Sequence, residues 1–340
     1  MVRDERKQRL IKWLSGVLLT DDFSCEPASS DASFRRYFRV KCQAKSFVVM
    51  DAPPAQEDCT SFIMIAEVLR ENGIYAPEIF YKSLEEGFLM LSDLGTDSYL
   101  DKLNELSVNE LYQDASTVLH KMHAIALKEL SIPHYDSQLL HKEMGLFDEW
   151  FISHLLSVEL SSEDKKTLVT VKNALTGSAL EQPQVFVHRD YHSRNLMVTQ
   201  KNNPGVIDFQ DAVVGPISYD LVSLYRDCYI NWPDEKIYAW LDAFLQQRKQ
   251  RGCSDDFDSL RFYQWFDWMG VQRHMKAVGI FSRLLLRDGK KGYLKDIPRT
   301  LAYITRVCSR YETLKPLADL INKYQLMKRF TTLQQEREEA

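Results

Sequence analysis

A short apolar run at residues 185–187 leads into His188-Arg189-Asp190-Tyr191-His192-Ser193-Arg194-Asn195, and Gly205-Val206-Ile207-Asp208-Phe209 follows, with Asp208 thirteen residues after that Asn. No other feature restricts the fold as tightly. An Asp, an Asn five residues on and a second Asp must all be held on loops between short strands. Phosphoryl transfer from a nucleotide needs a carboxylate to accept a hydroxyl proton and oxygen ligands to hold Mg²⁺ on the phosphates. The pattern H-R-D-x-x-x-x-N is complete, so the stretch points to a kinase. Asp190 is the expected catalytic base, and Asn195 and Asp208 are the hard oxygen ligands that Mg²⁺ prefers. Asp208 is expected at the end of a strand over 206–209, held rigidly there.

The rest of the chain fits a bilobal plan around that stretch. Leu10, Ile11, Trp13, Leu14, Val17 and Leu18 mark an amphipathic helix. Phe34, Phe38 and Val40 alternate with Arg35, Tyr37 and Arg39 as in a strand, and residues 46–51 make its hairpin partner. A helix follows over 58–71, closed by Asn72-Gly73, then strands over 77–82 and 88–91. Beyond 92–96 the pattern turns helical: 109–126, 142–157, 164–179, 219–227, 234–248, 256–286 and 300–323. Short strands over 185–188, 196–198 and 206–209 carry the motifs. The expected class is α+β and protein-kinase-like. Residues 1–94 form a nucleotide-binding lobe, 95–333 a catalytic and substrate lobe, and 334–340 a polar tail that frays.

Residues around the motif have blander duties open to them. His188 is expected to fix the loop by hydrogen bonding, and Asp220 to cap a helix and brace the loop from below. His192 and Arg194 either face a phosphate or lie in solvent, and Asp211 reads as a surface turn. The first lobe departs from the general kinase pattern. It has no G-x-G-x-x-G, and Ser30-Asp31-Ala32-Ser33 stands where the phosphate-covering loop belongs. Small residues there still permit close backbone approach. Met50 occupies the place of the V-A-I-K lysine. Arg35, Arg36 or Arg39 supplies the lost charge, or all three belong to a solvated sheet face. Nucleotide contacts are expected from Ser33, Arg35, Phe88 and Met90.

Charge and composition narrow the partners. The chain of 340 residues has a net charge of −5, which argues against a general nucleic-acid binder. Residues 261–300 nevertheless hold nine Lys or Arg against three Asp, a basic rim suited to an anionic or neutral substrate and unsuited to a polycation. Six scattered cysteines without a C-x-x-C pair read as free thiols. No apolar run is long enough for a membrane span and acidic residues as early as Asp4 and Glu5 do not suit a secretory signal, so a cytoplasmic location is expected.

His188–Asn195, Ile207-Asp208-Phe209-Gln210-Asp211-Ala212 and Gly215-Pro216-Ile217-Ser218-Tyr219-Asp220-Leu221 together resemble the aminoglycoside phosphotransferase superfamily. Asp31-Ala32-Ser33-Phe34-Arg35-Arg36-Tyr37-Phe38-Arg39, Met50-Asp51-Ala52-Pro53-Pro54 and the segment from Gly270 through Arg273-His274-Met275-Lys276 to Lys290 are similar, more narrowly, to the bacterial N-acetylmuramate/N-acetylglucosamine anomeric kinases of cell-wall recycling. The resemblance implies ATP and Mg²⁺ as cofactors, Asp190 as base and Asn195 and Asp208 as metal ligands. It also implies a sugar 1-phosphate product passed to a nucleotidyltransferase. Arg273, His274 and Lys276 are the sugar-side candidates, with Arg273 expected to pair with the lactyl carboxylate of N-acetylmuramate. The alternatives are a kinase of another small alcohol, such as an aminoglycoside or amino alcohol, and a nucleotide-binding pseudokinase.

Overall fold

The computed structural model of the protein describes residues 4–29, 35–253 and 256–339. The chain forms two units, one of Met1–Lys121 with Arg194–Asp211 and one of Met122–Ser193 with Ala212–Ala340.

In the first unit, helix α1 (Glu5–Leu18) starts where the Asp4 carboxylate accepts the Lys7 N–H, and it buries Leu10 and Leu14. Strands β1 (Ser24–Ser29), β2 (Arg36–Cys42), β3 (Lys45–Asp51), β4 (Ile79–Ser83) and β5 (Phe88–Ser92) make one antiparallel sheet in the order β1-β2-β3-β5-β4, and helix α2 (Thr60–Glu71) lies between β3 and β4 in the chain. β1 has no apolar alternation and carries Pro27, which only an edge strand tolerates. The β4–β5 turn needs Gly87: its φ is +72°, and a Cβ there would lie 1.9 Å from the Ala52 carbonyl oxygen.

The register decides which face each side chain takes. Phe38 pairs with Val49 and Val49 with Met90. Phe38, Val40, Val49, Phe88 and Met90 accordingly share one core with Leu10 and Leu14 of α1. The period of two sends Arg39, Met50, Leu89 and Leu91 to the opposite face. Asp51, fully buried, ties α1 to the sheet: Arg6 Nε donates to one oxygen at 2.8 Å and Arg36 Nε to the other at 2.9 Å.

The second unit is mostly helical. The helix Ser137–Leu146 begins at an Asp136 cap and runs on as a π-helical segment, Phe147–Leu155. The 30-residue helix Ser259–Asp288 packs against both. Gly279 makes that approach possible, since a Cβ would meet the Leu146 carbonyl carbon at 2.4 Å. Residues 300–323, expected as one helix, are two: Ile297–Cys308 and Lys315–Lys323, with Pro316 in the first turn of the second. The tail is helical through Glu339. The strand Val213–Pro216, which the sequence did not reveal, pairs with Gln184–Val187 beneath the motif. The strand expected over 206–209 stops at Val206.

Candidate active site

The loop after Gln184–Val187 is held from below by buried carboxylates. Asp220, fully buried at the start of the helix Tyr219–Tyr225, accepts the backbone N–H of His188 at 2.7 Å and of Arg189 at 3.0 Å. This is the brace expected of it. Burial lifts its carboxyl to about 7, against the pull of those two N–H groups. Asp227 accepts the Ser193 N–H at 2.9 Å, together with its hydroxyl. His188 is buried, and its Nδ1 accepts the Asp190 N–H at 3.2 Å, in keeping with a structural part.

Arg189 has φ of +75°, a left-handed conformation rarely taken by a residue with a long side chain. Such a kink costs about 1–3 kcal/mol and persists only where its surroundings hold it. Here the Asp220 carboxylate takes its N–H, the Ser223 hydroxyl donates to its carbonyl at 3.2 Å, and Glu143 pairs with its guanidinium. Glu143 is 6% exposed and also accepts Lys276 Nζ at 3.1 Å and the Tyr135 hydroxyl. Nothing local in the sequence marks Glu143, because its charged partners lie 46 and 133 residues further along and its neighbours, His141 and Lys142, look like an exposed face.

Asp190 follows that kink with its side chain 39% exposed. Burial works to raise its carboxyl, but Lys276, His192, Arg273 and Arg189 outweigh it and hold it well below the usual carboxylate range. It is ionised at neutral pH, as a proton acceptor must be. The Arg273 guanidinium stands beside it, with Nη2 4.0 Å from Oδ1. Lys276 acts from further back, bound to Glu143 and to the Tyr219 hydroxyl at 3.2 Å. His274, the third sugar-side candidate, points elsewhere. It is 1% exposed, its Nε2 bonds the Arg226 carbonyl at 2.9 Å, and its ring stacks on Tyr303. Burial keeps it neutral, with its pKa near 3, so it serves packing.

In the sheet unit the strands Leu196–Met197 and Gly205–Val206 pair and bring Asn195 to Asp208. The Asn195 amide nitrogen donates to Asp208 Oδ2 at 3.2 Å, the Gln210 amide to Oδ1 at 2.9 Å, and Ile207 N–H to the Asn195 carbonyl at 3.1 Å. Asp208 lies beyond the strand's end at φ +65°, so a kinked turn, not the strand expected, aims it. Phe209 anchors the turn against Phe62 of α2, ring centroids 4.9 Å apart. Asn195 Oδ1 and the exposed Asp208 carboxylate are hard oxygens. They suit a divalent cation that takes its other ligands from water and phosphate.

The nucleotide-side expectations divide. Ser33 lies outside the described residues. Phe88 and Met90 face α1 in the core, so their side chains are not on the face that bears Met50; Leu89 and Leu91 are. Of the three arginines proposed to replace the lysine, Arg36 is committed to Asp51 and Asp4 on the α1 face. Arg39, on the Met50 face, is bound to Asp93 through both Nε and Nη2. Arg35 pairs with Glu57, just ahead of α2, at 2.8 Å.

An antiparallel sheet unit, a helical unit and an H-R-D loop with its Asn and downstream Asp define a phosphotransferase of protein-kinase-like fold. Residues 24–263 match the model of the phosphotransferase enzyme family, and the chain belongs to that family. Over 95% of this chain and 97% of its own length, an N-acetylmuramate/N-acetylglucosamine kinase of Pseudomonas putida is 43% identical. One of the same name from Neisseria meningitidis is 38% identical over 93% of this chain and 95% of its own. Among solved structures, choline kinase LicA from Streptococcus pneumoniae superposes with a TM-score of 0.65 at 13% identity, covering 90% of this chain and all of its own. An ADP-bound aminoglycoside phosphotransferase gives 0.59 at 16% identity, covering 89% and 98%. At such identities the likeness is one of fold. This protein is a kinase.

Proposed function

We propose that this kinase phosphorylates the anomeric hydroxyl of N-acetylmuramate and N-acetylglucosamine with ATP, giving the sugar 1-phosphate. The carrying observation is the near full-length similarity to kinases bearing those two sugars in their names, at 38–43% identity. Asp190, ionised and partly exposed, receives the hydroxyl proton. An anomeric hydroxyl is more acidic than an ordinary alcohol, so one positioned carboxylate serves. Asn195 and Asp208 would hold Mg²⁺, which would neutralise charge on the phosphates. Arg35, steadied by Glu57, is the cation assigned to the nucleotide in place of the missing lysine, with Ser33 in the covering segment and residues 1–94 as the nucleotide lobe. Arg273 and Lys276 serve the sugar side. The product suits a nucleotidyltransferase that makes a nucleotide sugar, a cytoplasmic step. Among the described residues no helix is long and apolar enough to cross a membrane.

The test is turnover with ATP and Mg²⁺ on N-acetylmuramate, N-acetylglucosamine and kanamycin, with Asp190→Asn as control. Phosphate on C1 of the amino sugars, reduced about 10²–10⁴-fold in the control, is expected. Turnover on kanamycin alone would overturn the reading.

A further inference from the structure

We propose that Arg273 is a second catalytic residue: together with Asp190 it grips the oxygen of the acceptor hydroxyl, and it meets the negative charge that grows there as the proton leaves. The proposal rests on the amino-sugar reading only for the choice of acceptor.

Besides His192 in the loop itself, three basic side chains of the helical unit act on Asp190. Arg189 and Lys276 both end on Glu143. Arg273 does not. Its side chain is 6% exposed, yet Nη1 reaches only the Cys228 sulfur at 3.7 Å and Nη2 lies 4.0 Å from Asp190. Its Nε has no hydrogen-bond partner among the described residues. A thiol sulfur is a weak acceptor, and buried donors left in that state carry a desolvation cost that an incoming acceptor relieves. Arg273 is therefore short of an oxygen, on the side where Asp190 waits for a hydroxyl.

The separation fits one shared atom. An oxygen at about 2.8 Å from both Nη2 and Oδ1 would subtend roughly 90° between them, close to what a hydroxyl needs to donate one way and accept the other. In the reaction the O–H proton passes to Asp190 and the acceptor oxygen forms its bond to the γ-phosphorus. The bond from that phosphorus to the bridging oxygen breaks, and its electron pair leaves on ADP. Negative charge appears on the acceptor oxygen beside a fixed, already desolvated guanidinium.

This placement argues against Arg273 as the partner of the lactyl carboxylate. That group hangs from C3 of the sugar, two ring carbons from the reacting hydroxyl. A guanidinium within 4.0 Å of the base serves what both sugars share.

Kinetics of Arg273→Lys and Arg273→Ala on both sugars test the proposal, with the ADP-induced rise in melting temperature as the check on folding. Arg273→Ala is expected to lose about 10²–10³-fold in kcat, by the same factor on each sugar, with KM changed little. Added guanidinium ion should restore part of the loss, and Arg273→Lys should fall between. A loss confined to N-acetylmuramate and expressed in KM would overturn the proposal, as would wild-type kcat in either variant. If Arg273→Ala does not fold, Arg273→Lys decides by its kcat. If wild type turns over neither sugar, the amino-sugar reading fails by itself. The same comparison is then made on ATP hydrolysis, where water takes the hydroxyl's place.

Discussion

The two units treat their buried and half-buried arginines differently. In the sheet unit Arg6 and Arg36 converge on Asp51 and Arg39 on Asp93, each at hydrogen-bond distance. In the helical unit Arg189 is matched by Glu143, while Arg273 stands 4.0 Å from the carboxylate nearest it and leans on a thiol. A matched pair holds structure and has little left for a ligand. An under-matched cation beside a base has something to offer the substrate. The pairs on Asp51 and Asp93 are scaffold, whereas the arginines of the helical unit are divided between scaffold and chemistry.

Glu143 is where that division is most easily broken. Glu143→Ala leaves Arg189 and Lys276 buried without their common carboxylate, a loss of about 3–5 kcal/mol for a pair of this kind. It also frees the kinked residue next to Asp190, so kcat should fall at least tenfold. Urea unfolding read beside turnover checks both, and a stable variant with normal kcat would place Glu143 outside the machinery. Asp51→Asn is the counterpart in the sheet unit. The side chains of Arg6 and Arg36 are 21% and 37% exposed and can turn to water, so the cost should be smaller, roughly 2 kcal/mol. Its kcat should stay within about twofold of wild type. If Asp51→Asn costs turnover as heavily as Glu143→Ala, the contrast between the units fails.

Much of this was legible in the sequence, and what was not has physical reasons. The Asp190, Asn195 and Asp208 spacing was readable because catalysis fixes it locally. The brace by Asp220 followed from its place at a helix start. An uninterrupted apolar strand does not reveal its faces, which is why the sequence points Phe88 and Met90 at the nucleotide. Only the register with Val49 and the presence of α1 show that those two face the core. Val206-Ile207 reads as a strand that continues through Asp208, whereas the turn at φ +65° depends on Gln210 and Asn195. Glu143 and the position of Cys228 beside Arg273 come from contacts made across long separations in the chain. His274 reads like a ligand and is a core residue, since its partners, the Arg226 carbonyl and Tyr303, carry no local signature.

The helical unit's chemistry also depends on how closely its helices approach. Gly279→Ala would press a methyl group to 2.4 Å from the Leu146 carbonyl carbon, backbone that cannot step aside. Separating the helices that carry Lys276 and Glu143 should cost about 1–3 kcal/mol and lower kcat with it. Gly177, within the helix Ser162–Leu180, has nothing within 4 Å of the same hypothetical methyl. Gly177→Ala should stabilise by about 0.5–1 kcal/mol and leave turnover alone. Thermal melts of the two variants separate close approach from mere helix propensity.

The smallest net effect in the wild type is that of pH, because two groups of opposite sign in the helical unit offset each other. Asp220 is raised by burial from 3.8 to about 7 in the folded protein. Between those values the folded state holds a proton that the unfolded chain has released, so this contribution is full below 3.8 and is lost as pH rises through 7. His274 is lowered by burial from 6.5 to about 3. Between those values the folded state holds fewer protons, so its contribution is full above 6.5 and is lost as pH falls. From pH 4 to 6.5 the two slopes, each about 1.4 kcal/mol per pH unit at full effect, run against each other and nearly cancel. Asp220→Asn removes one of them. The difference between variant and wild type in urea stability should then widen steadily as pH is lowered from 6.5 to 4, with His274 no longer offset. A difference independent of pH would mean that Asp220 is already ionised in the folded protein and braces the loop as a full negative charge.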